Sequence, residues 1–381
     1  MKRLLLLGGG HAHVTVLADL AQRPLAGWAV QLVSPYRRQI YSGMLPGWIA
    51  GHYALDECAL SLARLARAAG VSFTATAGVA LDPVRNTLRC ADGQTLAFDR
   101  LAIDTGPMPA LAGLPGSQDH ALPIRPIEGF VAAWPALAAR IAAATVAAAS
   151  ASTPASGFDL AILGAGAAGV ELAFAVWQRA RLAGWTTLRL TLVGGDAWPM
   201  AGAPQGLRRR VAALLHQRGI AWQGERRALQ VDAGVLHFEH GAPLAFDACL
   251  VVTGAAAPAW PRASGLATDD QGFIRVGATL QSLSHPHILA AGDVAAYAEP
   301  RPKSGVFAVK AGPVLAANLR ALCEGRAPRR WTPQRRALYL ISTGDHHALA
   351  SWGPLAWGGD WVWRWKDHID RGFMRRFGGA E

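Results

Sequence analysis

Apolar residues run without interruption from Leu4 to Leu7, stop at three glycines, and recur at helix-like spacing through "HVTVLADLA" before a second apolar run, "AVQLV", at 29–33. This pattern predicts a buried strand, a glycine turn, a helix and a second strand. The same order returns at "LAILGAGAAGVELAFAV", with "LRLTLV" at 188–193 as the next strand. Downstream, "FDRLAIDTG" (98–106) aligns without gaps on "FDACLVVTG" (246–254). Each follows an alternating segment that predicts a hairpin, one turning at Asp92-Gly93 and the other at His240-Gly241. From the first glycine to the T-G pair the two units measure 98 and 90 residues. Matching units of this length indicate a duplicated α/β architecture of doubly wound parallel sheets.

The glycines carry the chemistry. In the second loop Gly164, Gly166 and Gly169 complete G-x-G-x-x-G between strand and helix. There the first glycine allows the tight turn, the second lets the backbone approach a pyrophosphate, and the third keeps helix and strand close. The first loop has Gly8 and Gly10 but His13 at the third position, which implies wider packing or an imidazole near the phosphates. His11 and Ala12 complete that turn. After the second strand, where an acid would hold the adenosine ribose, stand Ser34, Pro35 and Arg37; Arg37 and Arg38 suit either a phosphate or solvent. Thr105 and Gly106, and Gly254 in the duplicate, close the two units. Gly194 ends the corresponding strand of the second unit without an acid, and Arg208, Arg209 and Arg210 suit a 2′-phosphate or an exposed basic face, so NADH and NADPH both stay open.

These motifs, with Gly292 and Asp293 in "HPHILAAGDVAAY", resemble the two-dinucleotide-binding flavoproteins, in which an FAD domain is interrupted by an NAD(P)H domain. The combination of "GGGHAH", "YSGMLPG", "GAGAAGVELA" and the terminal "WRWKDHIDRGFMRRF" is similar to a narrower group of pyridine nucleotide-disulfide oxidoreductases linked to selenide water dikinase, themselves similar to type II NADH dehydrogenases. The resemblance implies FAD and NAD(P)H as cofactors, with an FAD domain over 1–112 and 265–325, an NAD(P)H domain over 113–264, and a cap or anchor over 326–381. It places Asp293 at the flavin ribityl chain, "YSGMLPG" along the flavin, and Glu171 near the nicotinamide and the flavin ring. Glu171 also suits a dipole partner in the first helical turn. Lys310 is the candidate for charge at the flavin pyrimidine edge. Counted back from Asn318, the glutamines that accompany quinone contact in type II dehydrogenases fall on Val306 and Lys310.

Composition narrows the setting. No apolar run near the start is long enough for an export signal, so the cytoplasm is the expected location. The uncharged stretch 141–158 is long enough for a bilayer but is alanine and serine with a proline inside, and reads as a linker. Four cysteines lie far apart, which disfavours a redox dithiol, and no metal ligand set is expected. The net charge of +11 favours acidic partners. Residues 326–381 carry ten basic and five acidic side chains and six of the fourteen tryptophans. Within them Trp361, Trp365, Ile369, Phe373 and Phe377 recur every four residues as one stripe, opposite Arg364, Asp367, His368, Arg371 and Arg375. Such a helix docks on its own protein, on a sister subunit in a homodimer, or through 360–377 on the inner face of a membrane. His346 and His347 are expected in a turn.

The expected function is oxidation of NAD(P)H through FAD, with electrons delivered to a quinone or, alternatively, to a carrier protein or a sulfur or selenium compound. A flavin-bound interaction protein with little turnover is the rival of another class. No nucleic-acid motif is present.

Overall fold

The computed structural model describes residues 1–150 and 157–378. In chain order the elements used below are β1 (Lys2–Leu7), α1 (His11–Gln22), β2 (Trp28–Val33), β3 (Ser72–Thr74), β4 (Arg100–Ile103), β5 (Leu122–Pro123), α2 (Ile127–Ser150), β6 (Phe158–Leu163), α3 (Ala167–Ala183), β7 (Leu188–Val193), α4 (Gln205–Gln217), β8 (Ala221–Gln223), β9 (Ala248–Val251), β10 (Ile288–Ala290), α5 (Gly305–Cys323), β11 (Tyr339–Ser342), β12 (Ala348–Trp352), β13 (Leu355–Gly359) and α6 (Asp360–Gly378).

Two parallel five-stranded sheets form the body, ordered β10-β4-β1-β2-β3 and β5-β9-β6-β7-β8. The duplication extends to register. Leu7 pairs with Val33 on one side and Ile103 on the other, and Leu163 pairs with Val193 and Val251. Strands buried on both faces must be apolar throughout, which is why Leu4–Leu7 and Leu160–Leu163 read as continuous runs. Each unit adds a three-stranded antiparallel sheet, 78–82, 87–90 and 95–97 in one and 228–232, 235–238 and 244–245 in the other, with Gly93 and Gly241 at positive φ in the turns. Only the edge strand differs in origin: β5 precedes the second unit, whereas β10 returns after it.

Two expectations change. Residues 141–150 are not linker but the last turns of α2; the remainder of that stretch, 151–156, lies outside the described residues. Alanine is the best helix former, and this outweighs the lack of an amphipathic pattern. In "YSGMLPG", Pro46 and Gly47 sit in a short helix, Leu45–Ala50, with proline in its first turn, where its missing N–H goes unused. Helices α2 and α5 are long and apolar enough to cross a membrane by composition alone, and most of the apolar window of α5 is buried.

Residues 339–359 form the antiparallel sheet β11-β12-β13, and α6 packs back against it and against residues 40–60. His346 and His347 occupy the bend between β11 and β12, His346 at φ +60. The stripe expected on α6 splits. Trp361, Trp365 and Ile369 are exposed at 53%, 38% and 42%, while Val362, Asp370 and Phe377 are buried and Phe373 packs into the core of the first unit. Four residues advance about 400° on a helix of 3.6 per turn, so the stripe drifts about 40° at each step and cannot face one way over four turns.

Candidate functional site

Each glycine loop starts a helix at the carboxyl end of a sheet. Gly164 turns at φ +117, and any Cβ on it would lie 2.6 Å from the Val252 carbonyl oxygen. A Cβ on Gly169 would lie 1.7 Å from the Gly164 carbonyl oxygen, so the third position tolerates no side chain there. Gly166 caps α3 without a side-chain hydrogen bond, and space around it is open. A cleft of about 1220 Å³ opens in front of it, lined by Gly164–Ala167, Gly194–Asp196, Trp222, Arg226, Arg227, Thr253, Gly254 and the tail residues Arg335, Arg336 and Tyr339. At Gly194 any side chain would require the Trp222 indole to move, because a Cβ there would meet it at 2.7 Å. From α4 it is Leu207 that lines the cleft, not Arg208, Arg209 or Arg210; the basic side chains come from the next loop and the tail.

In the first loop Gly8 turns at φ +97 against the Asp104 backbone, and Gly10 caps α1. His13, fully buried, points inward. Its Nδ1 donates to the Gly8 carbonyl oxygen at 2.6 Å, which fixes the tautomer and leaves Nε2 without a partner. Burial lowers the His13 pKa to about 4. Burial, then the charge of Arg125, lowers that of His11 equally, and its Nε2 is also unpartnered. Ala12 is buried, and its N–H, like that of His13, donates to the Asp104 carboxylate. Ser34 is buried, Pro35 and Arg37 are exposed, and Arg38 pairs with Glu128 at 3.2 Å. Thr105 is exposed and Gly106 adopts positive φ. Gly292 and Asp293 come up beside Asp104, and Asp293 faces Arg125 at 3.9 Å.

Between the two loops lies a charged cluster around Glu171, whose other members, Lys366 and Asp370, sequence reasoning missed. Glu171 is the fifth residue of α3, one turn past the dipole position, and its carboxylate accepts from the Ser342 N–H of β11 at 2.8 Å. Burial raises its pKa to about 7, against the pull of Lys366. Lys366 of α6 donates to Asp370 at 2.6 Å and to the Gly43 carbonyl oxygen at 2.7 Å. Burial opposes the Lys366 charge, but Asp370 and Glu171 together hold its pKa above the ordinary lysine value. The Tyr41 hydroxyl donates to Asp370, and its ring stacks on Phe373 at 4.4 Å beside His11. Gly305, the first residue of α5, lies against Ser42 and His11. Lys310 is exposed on α5, so the enclosed cation next to Glu171 is Lys366. The signal for it was the i, i+4 Lys366–Asp370 spacing on a helix that also carries the aromatic stripe.

Over residues 2–312 the chain matches the model of the pyridine nucleotide-disulphide oxidoreductases. The chain belongs to this family. As a pyridine nucleotide-disulphide oxidoreductase it is an enzyme that works with a flavin and NAD(P)H. It is 27% identical over 313 residues, 80% of this chain and 73% of the relative, to the demethylphylloquinone reductase NdbB of Synechocystis sp.. The structure of the sulfide:quinone oxidoreductase from Aquifex aeolicus superposes with a TM-score of 0.80 at 16% identity, over 99% of this chain and 92% of the other. NDH2 from Plasmodium falciparum in complex with NADH superposes with a TM-score of 0.78 at 12% identity, over 100% and 99% of the two chains. At these identities the two structures establish the shared fold.

The residues present fit two dinucleotides. The open start of α3, whose N–H groups no capping side chain occupies, lies above a large cleft and is a seat for one pyrophosphate. The buried and unpartnered His11 Nε2, Ser304 Oγ and Thr253 Oγ1 are polar atoms that a bound cofactor would satisfy.

Proposed function

We propose that FAD binds the first unit through Gly8–His13, Ser34, Thr105, Gly106, Gly292 and Asp293, and that NAD(P)H binds the second through Gly164–Gly169 and Gly254. On this reading the flavin domain is about 1–112 and 265–325, the nucleotide domain 113–264, and 326–381 a cap that completes the site. The flavin supplies two-electron chemistry with the nicotinamide on one face and the acceptor on the other. Glu171, on the first turns of α3, orients the nicotinamide side. Tyr41, Phe373 and the start of α5 enclose the flavin side and exclude water, and Lys366 holds positive charge close to both. The observation that carries this reading is the convergence of the two helix N-termini, α1 and α3, on one cluster made from Glu171, Lys366 and Tyr41. Anaerobic titration of the purified protein with NADH and, separately, NADPH tests it. Stoichiometric bleaching of an oxidised-flavin spectrum by one of them is expected; a colourless protein that FAD does not reconstitute sinks the reading.

A quinone is the proposed acceptor, in line with the quinone-linked names of the relatives and with an apolar outer surface on the tail. Trp361 and Trp365 stack at 6.3 Å and are exposed together with Ile369, Trp352 and Leu355, flanked by Arg364 and His368. Aromatic and basic residues on one exposed face suit the interfacial region of an anionic bilayer. Binding to anionic phospholipid vesicles is expected, and W361S/W365S/I369S should cut the vesicle-bound fraction about tenfold while NAD(P)H oxidation with a soluble acceptor stays unchanged. Retained vesicle binding in that variant, or turnover only with a soluble carrier protein, would move the acceptor away from the membrane.

A further inference from the structure

Among the differences between the two units is one linked pair of positions at the start of the helix. Where the second has Gly169 and Val252, the gapless alignment puts His13 and Asp104 in the first. In the second unit the start of α3 is open. In the first, one oxygen of the Asp104 carboxylate accepts from the Ala12 N–H at 2.8 Å and the His13 N–H at 3.0 Å. The carboxyl is enclosed by glycines: a Cβ on Gly10 would lie 2.3 Å, and one on Gly292 2.4 Å, from its atoms. An internal anion therefore already stands at the helix end where the flavin dinucleotide's pyrophosphate has to bind.

Two anions at one helix N-terminus repel unless one is neutralised. No cation is paired with Asp104 among the described residues: Arg125 faces Asp293, and Lys303 donates to the Ala295 carbonyl oxygen. A proton is the remaining means. We propose that Asp104 makes flavin-dinucleotide binding proton-linked, its carboxyl taking up one proton from solvent as the pyrophosphate seats at the start of α1. The inference rests on the flavin reading above. Burial, with Asp293 adding to it, raises the Asp104 pKa to about 7 although the two backbone N–H groups pull the other way, so the flavin-free protein is poised to take up that proton near neutrality.

The other titratable groups facing this carboxyl are few. From α1, His11 and His13 are held near 4 by burial and stay neutral at and above neutral pH. From the 292–294 turn comes Asp293, its pKa raised by burial against the opposing charge of Arg125. From the segment that follows comes Tyr297, pushed upward by burial and by the two carboxyls. Asp104 acts as a positioning residue; its contacts are with the helix end and not with reacting atoms.

The test titrates FAD into the flavin-free full-length chain from about pH 6 to about pH 9, followed by flavin fluorescence. The dissociation constant is expected to be level below about pH 7 and to rise by up to about tenfold per pH unit above it, with Asp104→Asn removing the slope. Calorimetry of the unaltered protein in two buffers of different ionisation enthalpy, near pH 8, should report uptake of about one proton per FAD. A level profile, or no proton uptake in the unaltered protein, overturns the proposal even if the variant does not fold. An unchanged slope in Asp104→Asn overturns it as well and points to Asp293. Failure of FAD to bind at any pH removes the flavin reading and this inference with it.

Discussion

Lys366→Met should lower stability by about 3–5 kcal/mol, the usual loss when one partner of a buried ion pair is removed. The Lys366 side chain is 12% exposed and that of Asp370 6%. With the ammonium gone, the Gly43 carbonyl loses its donor and two carboxylates, Asp370 and Glu171, are left buried without a counter-charge. The deficit should depend on pH. Glu171 has a folded pKa of about 7, above the ordinary 4.5, so the folded state binds more protons between those values and its stability falls as pH rises through that window. Removing Lys366 raises the folded pKa further, so the deficit should be greater near pH 8 than near pH 5, where Glu171 holds its proton. Urea midpoints for the two proteins at the two pH values measure this, and pairing the change with Asp370→Leu should recover part of the loss. A deficit under about 1 kcal/mol at both pH values would mean that water reaches the cluster.

Gly169→Val is expected to lower kcat/KM for NAD(P)H by at least about 100-fold, about 2.7 kcal/mol of transition-state stabilisation, with flavin content and bleaching by dithionite retained. A Cβ at this position falls 1.7 Å from the Gly164 carbonyl oxygen, so α3 has to move away from β6 and take the open helix end at Gly166 with it. The first unit holds a histidine at the equivalent place, but there the imidazole bonds the Gly8 carbonyl and the neighbouring N–H groups have an acceptor in Asp104. Valine supplies neither. A near-normal kcat/KM in the variant would show that the second loop does not hold the nucleotide.

Some of this site was legible and some was not. The alignment of residues 98–106 with 246–254 anticipated matched registers in β4 and β9, and also displayed an aspartate opposite a valine, the visible trace of the internal anion at α1. Lys310 and Lys366 were indistinguishable as isolated lysines. Their separation into exposed and enclosed depends on which face of α5 and α6 meets the body. The alanine-rich 141–150 stretch has the composition of a linker but the helix propensity of alanine, and it continues a helix that tolerates a proline, Pro135, nearer its start.

The duplicated strand–glycine–helix units, their parallel sheets and the two helix ends suited to pyrophosphates are written in the order of residues along the chain. Those features follow from local stereochemistry: the period of buried positions and the backbone freedom of Gly8 and Gly164. Packing of the folded chain brings Lys366 and Asp370 to Glu171, Tyr41 and Gly43, turns Trp361 and Trp365 to solvent, and sets Asp104 under α1. Contacts between residues up to 323 positions apart are set by how helices and sheets pack, and the desolvation that such packing imposes is what shifts the pKa values of Glu171 and Asp104.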